Sequence, residues 1–435
     1  MRIHILAIVG KMTTPLAIEL KRLGHTVTGS DQDKIYPPAS TTLAENSISV
    51  NTTIIDKSID LVIVGSSYKH FKRCLEELDQ AKNLGIPFVP ATQYLAELLV
   101  KQNSIVVAGS YGKTTITALL AFLFGKLGMD PSFCFGEKII NQLPSVHTSD
   151  SEWSIIEGDE SINGLDTRAK FFSYQPKYLI LTSAGWEHKE SYPSYESNQQ
   201  AFSYLLKSIP RDGVIVYNPN DPDIKQIITA TTAKSVPYED FKFDTPLIGL
   251  HNHQNICSAL TLIKSLGLDV QKAIKFVPEF LGVERRLQVI SNKNSIVVID
   301  DYAQSSSRVA VAIDSVKQAY PSATLKIFFE PHASFLQSVS SIKGFKDSFK
   351  QCSEVIFSQI NYNKSEKGER VTARTFAEEI GDSFKYIPLY EDIFQHFIST
   401  LKQDDVLIHF SSGGKEGLDT LKRLVSHINP EISYT

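Results

Sequence analysis

Ile105-Val106-Val107-Ala108-Gly109-Ser110-Tyr111-Gly112-Lys113-Thr114-Thr115-Ile116-Thr117 reads as a buried strand that runs through a glycine loop into the first turn of a helix. The apolar, β-branched opening gives the strand. Gly109 and Gly112 let the backbone N–H groups of the loop, from Ser110 and Tyr111 onward, converge on oxyanions, and the helix start adds about half a positive charge. Lys113 supplies a full charge to the β- and γ-phosphates, and Thr114, followed by Thr115, offers a hydroxyl to Mg²⁺. A strict Walker pattern needs one more glycine at position 107, where Val107 stands, so the loop is the compact G-x-x-G-K-T-T form. The ordinary alternative is a glycine turn with a solvated lysine; the strand before and the helix after argue for a phosphate cradle and for ATP.

Working outward, a chain of 435 residues suggests about three domains. With 42% apolar and 21% charged residues, it has the make-up of a globular protein with ample core. A net charge of -4 and a pI near 6.3 give no attraction for nucleic acid or an anionic membrane, so neither is expected as a partner; a monomer or weak homodimer acting on small-molecule substrates is the expectation for the chain. Cys74, Cys134, Cys257 and Cys352 are scattered without a C-x-x-C, which indicates neither a zinc site nor a disulfide framework. The start is strand-like and unlike a secretory leader, and apolar runs such as Leu119 to Phe124 fall far short of a membrane span, so the cytoplasm is expected.

Apolar β-branched strands alternate with helical stretches throughout, which predicts an α/β protein with parallel sheets. Ile3 to Val9, a helix from Thr14 to Leu23 and His25 to Ser30 form the first unit, with Leu61 to Ser66 and Ile86 to Val89 as further strands. Polar Lys101-Gln102-Asn103 marks a break before the cradle. Trp153 to Ile156, Tyr178 to Leu181 and Val214 to Tyr217 continue the middle section, whose last helix spans Gln254 to Leu266. A third pattern runs through Ile296 to Ile299, Leu325 to Phe329, Glu354 to Phe357 and Val406 to Phe410. The division expected is 1–100, 101–283 and 284–435: an N-terminal Rossmann-like domain, a central P-loop ATPase-like domain with a parallel sheet, and a C-terminal Rossmann-like domain.

Acids gather where strands end. Glu157-Gly158-Asp159-Glu160 follows one strand, where hard oxygen ligands suit a Mg²⁺ that bridges to phosphates; a solvated acidic loop has the same sequence. Trp186-Glu187-His188-Lys189 follows another, and a lone strand-end histidine is ordinarily a structural hydrogen-bonder. Asp300-Asp301 fits ribose hydroxyls or a capping turn. Arg285-Arg286 suits phosphate oxygens or plain solvent. Asn252 and Asn255, opening the helix after Gly249, suit a base or a helix cap. Gly10 precedes a helix and Asp31 closes the next strand, a weak echo of a dinucleotide fold.

Together these segments resemble the Mur ligase family, the ATP-dependent amide-forming enzymes of peptidoglycan synthesis, over nearly the whole chain. The cradle, His251-Asn252, Gly282-Val283-Glu284-Arg285-Arg286 and Asp300-Asp301-Tyr302-Ala303 look like family-wide marks. The opening Met1-Arg2-Ile3-His4-Ile5-Leu6, Val27-Thr28-Gly29-Ser30-Asp31, Tyr36-Pro37-Pro38 with Ser40, Ile156 to Glu160, and Arg168 with Lys170-Phe171 resemble its recycling branch. That branch joins UDP-N-acetylmuramate to L-alanyl-γ-D-glutamyl-meso-diaminopimelate.

The resemblance implies that the first domain holds the UDP-sugar, the second ATP and Mg²⁺, and the third the incoming peptide. ATP phosphorylates the muramoyl carboxylate and the peptide's α-amine then attacks the acyl phosphate, chemistry that needs reacting groups held close and spreading negative charge neutralised. Residue by residue, Thr114, Glu157 and His188 match metal-site positions, Asn252 and Asn255 the adenine segment, and Asp300 or Asp301 the ribose contact. Lys113, His188 and Arg286 carry the catalytic roles, with Arg286 matching the arginine that reaches the phosphates when a hinge near 282–286 closes. Gly10, Ser30 and Asp31 fall on the sugar-nucleotide side, and Glu330, His332, Gly413 and Gly414 on the acceptor side.

The chain departs from the family at several points. The glycine-rich UDP turn is reduced to Gly10, with Lys11, Thr13 and Pro15 around it; Glu187-His188 replaces Asp-His; Gln304-Ser305-Ser306 replaces histidines and a proline. Glu330-Pro331-His332 stands where Glu-Pro-Arg is usual, removing an arginine suited to a carboxylate, and Lys415-Glu416 differ beside the late glycine pair. Gln199-Gln200-Ala201-Phe202 occupies the stretch where some relatives carry a carbamylated lysine, so no such modification is expected. Two other readings stand beside the tripeptide ligase: the alanine-adding member of the family, and a nucleotide-binding regulatory protein that has lost catalysis. Retention of Lys113, Thr114, Glu157 and His188 favours a working enzyme.

Overall fold

The computed structural model describes residues 1–36, 39–162, 164–165, 168–186, 191–331, 342, 344–359, 371–381, 383–412 and 414–431. The chain divides into two compact units, Met1–Pro246 with His253–Val283, and Leu247–Asn252 with Glu284–Thr435.

Two sheets build the first unit. The first comprises β1 (Arg2–Leu6), β2 (Thr26–Ser30), β3 (Ser49–Val50), β4 (Leu61–Val64) and β5 (Phe88–Pro90), all parallel in the order β3-β2-β1-β4-β5. This is the Rossmann order, with the reversal beside β1. The second comprises β6 (Asn103–Ala108), β7 (Ser132–Cys134), β8 (Val146–His147), β9 (Trp153–Gly158), β10 (Tyr178–Leu181), β11 (Val214–Tyr217) and β12 (Lys234–Pro237). Their order is β12-β11-β10-β6-β9-β7-β8, and only the β7–β8 pair is antiparallel.

Ile105 to Ala108 are fully buried, as a central parallel strand covered on both faces requires. The helix Lys113–Lys126 that follows is apolar on every side, and Ile116 to Phe124 are all buried. A single cluster joins the two sheets: Leu16, Leu20, Leu95 and Leu99 share it with Val106, Ile156, Phe171 and Tyr174. Each such side chain contributes about 1.5–3 kcal/mol relative to exposure. Polar ties reinforce the packing, since the Thr148 N–H donates to Glu19 at 2.8 Å and Arg22 donates to Thr148 Oγ1 at 2.8 Å.

The second unit holds one sheet: β13 (Gln288–Lys293), β14 (Ile296–Asp301), β15 (Thr324–Glu330), β16 (Glu354–Phe357), β17 (Phe384–Tyr386) and β18 (Asp405–Ser411), in the order β13-β14-β18-β15-β16-β17. Only β13–β14 is antiparallel. Alternate residues serve opposite faces. Phe329, Phe345, Phe349, Phe357 and Phe376 pack in one cluster, while Phe328, Phe397, Leu407, Leu421 and Leu424 pack in the other. All seven residues of β18 are buried, which draws His409 into the sheet interior.

The three α/β domains expected from the sequence are present, with Rossmann-like first and last sheets around the nucleotide-type sheet in chain order. Among the described residues no helix is long and apolar enough to cross a membrane. The four cysteines are buried and free.

Candidate active site

The strand order of the second sheet reverses beside β6, so the loop after Ala108 opens at the crevice where α/β sheets place ligands. Val107 pairs with Glu157 and Ala108 with Gly158 on one side, and Ala108 with Leu181 on the other. That register puts the loop, the Glu-Gly-Asp-Glu acids and the Thr182-Ser183 turn at one sheet edge.

Gly109 has φ +124°, and a Cβ there would lie 2.3 Å from Thr182 Oγ1 and 2.7 Å from the Ser183 backbone. Only glycine fits. Ser183 Oγ accepts the Ser110 N–H at 2.8 Å, Ser110 Oγ donates to the Gly185 carbonyl at 3.0 Å, and Thr182 Oγ1 donates to the carbonyl of exposed Tyr111, so the loop is held from behind by the next strand's end. Gly112, at φ +77°, caps the helix without a side-chain bond; a Cβ there would meet Asn255 Oδ1 at 2.5 Å, which places the Asn255 carboxamide against the loop. Thr115 follows Thr114 in the first helical turn, half-buried.

Lys113 Nζ donates to the Gly109 carbonyl at 2.6 Å and to Glu160 Oε2 at 2.7 Å. Thr114 Oγ1 donates to Glu157 Oε1 at 2.9 Å, while Glu157 Oε2 accepts the Gly136 N–H at 2.7 Å. Burial pushes the Glu157 carboxyl up, against the pull of that N–H and of Lys113. Asp159 goes the other way. Burial alone would raise it, but the charge and hydrogen bond of Lys170, 2.7 Å away, together with Lys113, hold it well below the usual carboxylate range. A glycine cradle that no Cβ can enter, one lysine and adjacent hydroxyl and carboxylate oxygens form a donor set that fits a phosphate tail and a hard dication. His188 and its neighbour Glu187 lie outside the described residues.

The other expected residues divide. Asn252 is buried and turns its amide to the Ile248 carbonyl at 2.8 Å, in the first turn of the helix Leu250–Ser265, so at Asn252 a capping bond stands in place of an open base contact. In the first sheet, Gly10 begins the turn into the helix Thr13–Arg22, where a Cβ would meet Thr13 Oγ1 at 2.6 Å. Thr13 and Thr14 hydroxyls donate back to the Ala7 and Ile8 carbonyls, and Asp31 Oδ2 accepts the Val9 N–H at 2.8 Å. Ser30 Oγ is fully buried against His4 and Glu77. Ser30 and Asp31 therefore brace the turn from inside, where open groups for a nucleotide sugar had been expected; hydroxyls and one carboxylate do the closing that a glycine-rich turn does by itself.

In the second unit the paired arginines part company. Arg285 (φ +59°) donates from Nε to Asp300 Oδ2 at 2.8 Å and from a terminal nitrogen to the Ser411 carbonyl at 2.8 Å, with its guanidinium 4.9 Å from the Tyr302 ring centre. Arg286 is exposed. Asp300, 2% exposed, also meets His409 Nδ1 at 2.8 Å, and Asp301 accepts the Leu287 and Ala303 N–H groups at 2.7 Å each. Both carboxylates thus have partners inside the domain besides the ribose contact expected of one of them.

Glu330 lies on the same network. Its Oε2 meets His409 Nε2 at 2.8 Å and its Oε1 accepts the Tyr390 hydroxyl at 2.8 Å, so it too is buried and internally paired. Burial would lower the His409 pKa, but hydrogen bonds to Asp300 and Glu330 and their charges raise it to about 9. Burial would raise Asp300 and Glu330, and His409 brings both below their ordinary values. A Cβ on Gly414 would lie 3.2 Å from Glu330 Oε1. His332 and Gly413 lie outside the described residues. Glu160, Lys170 and Ser183 were not singled out as site groups from the sequence; Glu160 was visible only as the last acid of its cluster. His409, inside an apolar strand, carried no signal.

Three family models match the chain in order: "Mur ligase family, catalytic domain" over residues 2–102, "Mur ligase middle domain" over 107–236 and "Mur ligase, glutamate ligase domain" over 285–413. The chain is 28% identical over 349 residues to the UDP-N-acetylmuramate–L-alanyl-γ-D-glutamyl-meso-2,6-diaminoheptandioate ligase of Escherichia coli strain K12, covering 73% of this chain and 76% of that protein. It is 24% identical over 446 residues to the UDP-N-acetylmuramate–L-alanine ligase of Desulfitobacterium hafniense strain Y51, covering 95% and 97%. Among solved structures, the UDP-N-acetylmuramate–alanine ligase of Thermotoga maritima superposes with a TM-score of 0.77 at 19% identity over 99% of this chain and 100% of that one, a likeness of fold.

Proposed function

This chain belongs to the Mur ligase family, and we propose on that premise that it joins UDP-N-acetylmuramate to L-alanine through an amide bond. The coarser activity, ATP-dependent amide formation in peptidoglycan synthesis, is the family's own. One observation supports the choice of acceptor: most of the similar proteins are UDP-N-acetylmuramate–L-alanine ligases, several of them matched over 95–97% of this chain. That replaces the tripeptide expected from local motifs. The tripeptide remains the second reading, supported by the 28% identity over 349 residues to the tripeptide ligase.

In this reading residues 1–100 take the sugar nucleotide, 101–283 ATP and 284–435 the acceptor. Lys113 leaves the Gly109 carbonyl for the β/γ-phosphate oxygens, keeping its charge where negative charge spreads as the muramoyl carboxylate is phosphorylated. Gly109 and Gly112 hold the loop N–H groups open to the phosphates, and Asn255 buttresses the loop at Gly112. Thr114 and Glu157 would be the oxygen ligands for Mg²⁺, with His188 as the companion that the family resemblance assigns. Bound Mg²⁺ neutralises phosphate charge and orients the transferring group. Arg286, exposed, has a charge suited to the same oxygens.

The test offers the protein ATP, Mg²⁺ and UDP-N-acetylmuramate with L-alanine or the tripeptide separately, and reads phosphate release and coupled product. Product with alanine supports the proposal; product with the tripeptide alone moves the assignment to the second reading. ATP binding without turnover on either overturns both in favour of a non-catalytic nucleotide binder.

A further inference from the structure

A second group of ligand atoms lies on the helix Leu250–Ser265 and the segment after β12. His253 and Cys257 are four residues apart, one turn along the same helix face. Asp240 comes from the preceding loop. His253 Nε2 is 2.8 Å from Asp240 Oδ1, Cys257 Sγ is 3.5 Å from His253 Nε2, and Cys257 Sγ is 3.8 Å from Asp240 Oδ1. Around a tetrahedral ion with sulfur at about 2.3 Å and nitrogen and oxygen at about 2.0–2.1 Å, the three edges come to about 3.3–3.6 Å. The observed triangle needs shifts of only a few tenths of an ångström. A His–Asp ion pair alone accounts for the short edge; it does not account for a sulfur set against both partners.

We propose that Asp240, His253 and Cys257 form a three-ligand site for a zinc-class divalent ion, separate from the hard-oxygen pair Thr114 and Glu157. Thiolate and imidazole suit Zn²⁺ or Co²⁺ and not Mg²⁺, so the two sites select different metals. The Phe243 ring stacks on the His253 imidazole at 4.9 Å and 19°, fixing the ring plane, and the Glu239 N–H donates to Thr261 Oγ1 at 3.0 Å, holding the loop on the same helix. Cys257 is 4% exposed while the Asp240 side chain is 87% exposed, so the ion enters from the carboxylate side and keeps its fourth position for water. On binding, the Cys257 S–H bond breaks, its proton passes to buffer, and the sulfur becomes a thiolate ligand. The ion then pins the 238–249 connection to the helix that also carries Asn255.

The experiment uses the full chain, stripped with a chelator and titrated with Co²⁺ in the absence of nucleotide and Mg²⁺. The expected result is one equivalent bound with a thiolate-to-cobalt charge-transfer band in the near ultraviolet and four-coordinate bands in the visible, all displaced by Zn²⁺. Cys257→Ser should abolish the charge-transfer band, and Asp240→Asn should weaken cobalt binding at least tenfold. Cobalt bound at Thr114 and Glu157 gives no such band, so its absence, or its survival in Cys257→Ser, overturns the proposal. Should Cys257→Ser fail to fold, the surface variant Asp240→Asn decides, and unchanged cobalt affinity there overturns it equally.

Discussion

Lys113 Nζ and Glu160 Oε2 lie 2.7 Å apart beneath the phosphate loop, with Glu160 2% exposed. Removing the lysine alone strips a buried carboxylate of its countercharge, a change that costs about 3–5 kcal/mol. Lys113→Ala should therefore lose both stability and turnover. The double variant Lys113→Met with Glu160→Gln should recover most of the urea midpoint while its phosphate release stays at least about 10²-fold down. A single variant as stable as the parent would contradict the buried pair.

His409 makes the second unit sensitive to alkali. Its pKa is about 9 in the fold, against about 6.5 for an unfolded histidine, so the folded state holds an extra proton between those values. The stabilisation is complete below about pH 6.5 and is lost as pH rises through about 9, a change of about 3 kcal/mol. Asp300 and Glu330, held below their ordinary values, act oppositely: their share is present above about pH 4.5 and fades on acidification. Urea midpoints between pH 6 and 9.5 should fall for the parent and stay flat for His409→Gln.

The two arginines should separate in mutagenesis. Arg285→Ala removes a charged hydrogen bond to buried Asp300 and should cost about 2 kcal/mol in denaturant melts. Arg286→Ala, at an exposed position, should stay within about 0.5 kcal/mol of the parent yet lower turnover at least about tenfold. Equal stability losses for both would refute the division of labour.

Two helical glycines should respond with opposite sign. A Cβ on Gly417 would lie 1.8 Å from Glu330 Oε2, so Gly417→Ala should destabilise by about 1–3 kcal/mol despite the better helix former. Gly125, with nothing within 4 Å of the added Cβ, should gain up to about 1 kcal/mol as alanine. Thermal melts of both variants check the pair.

The central strands were legible because Ile105 to Ala108 is a continuous apolar run and Val406 to Phe410 is apolar but for His409, both buried on both faces. Short edge strands were not: β12 is Lys-Ser-Val-Pro and β17 Phe-Lys-Tyr, with little apolar surface to give a period. The turn from strand through glycine loop to helix was readable because its signal is local, with Gly109, Gly112, Lys113, Thr114 and Thr115 close together in sequence. The internal partners of Asp300, Asp301 and Glu330 were not legible, for the opposite reason. Their partner His409 lies over a hundred positions from Asp300 and seventy-nine from Glu330, and only the sheet register brings them together. The bonds of Ser30 and Asp31 inside the turn were hidden likewise, because residues that close a turn and residues that greet a ligand beyond it occupy the same sequence position.

At rest, Lys113 is already engaged by Glu160, and Lys170 by Asp159, while Glu157 adds a third carboxylate to two ammonium groups. Among the described side chains there, a naked oxyanion meets no surplus ammonium charge, whereas a nucleotide escorted by its own dication brings further positive charge with it. The pocket thereby discriminates by the ionic state of the incoming complex, and millimolar sulfate should be a feeble competitor of magnesium-loaded nucleotide.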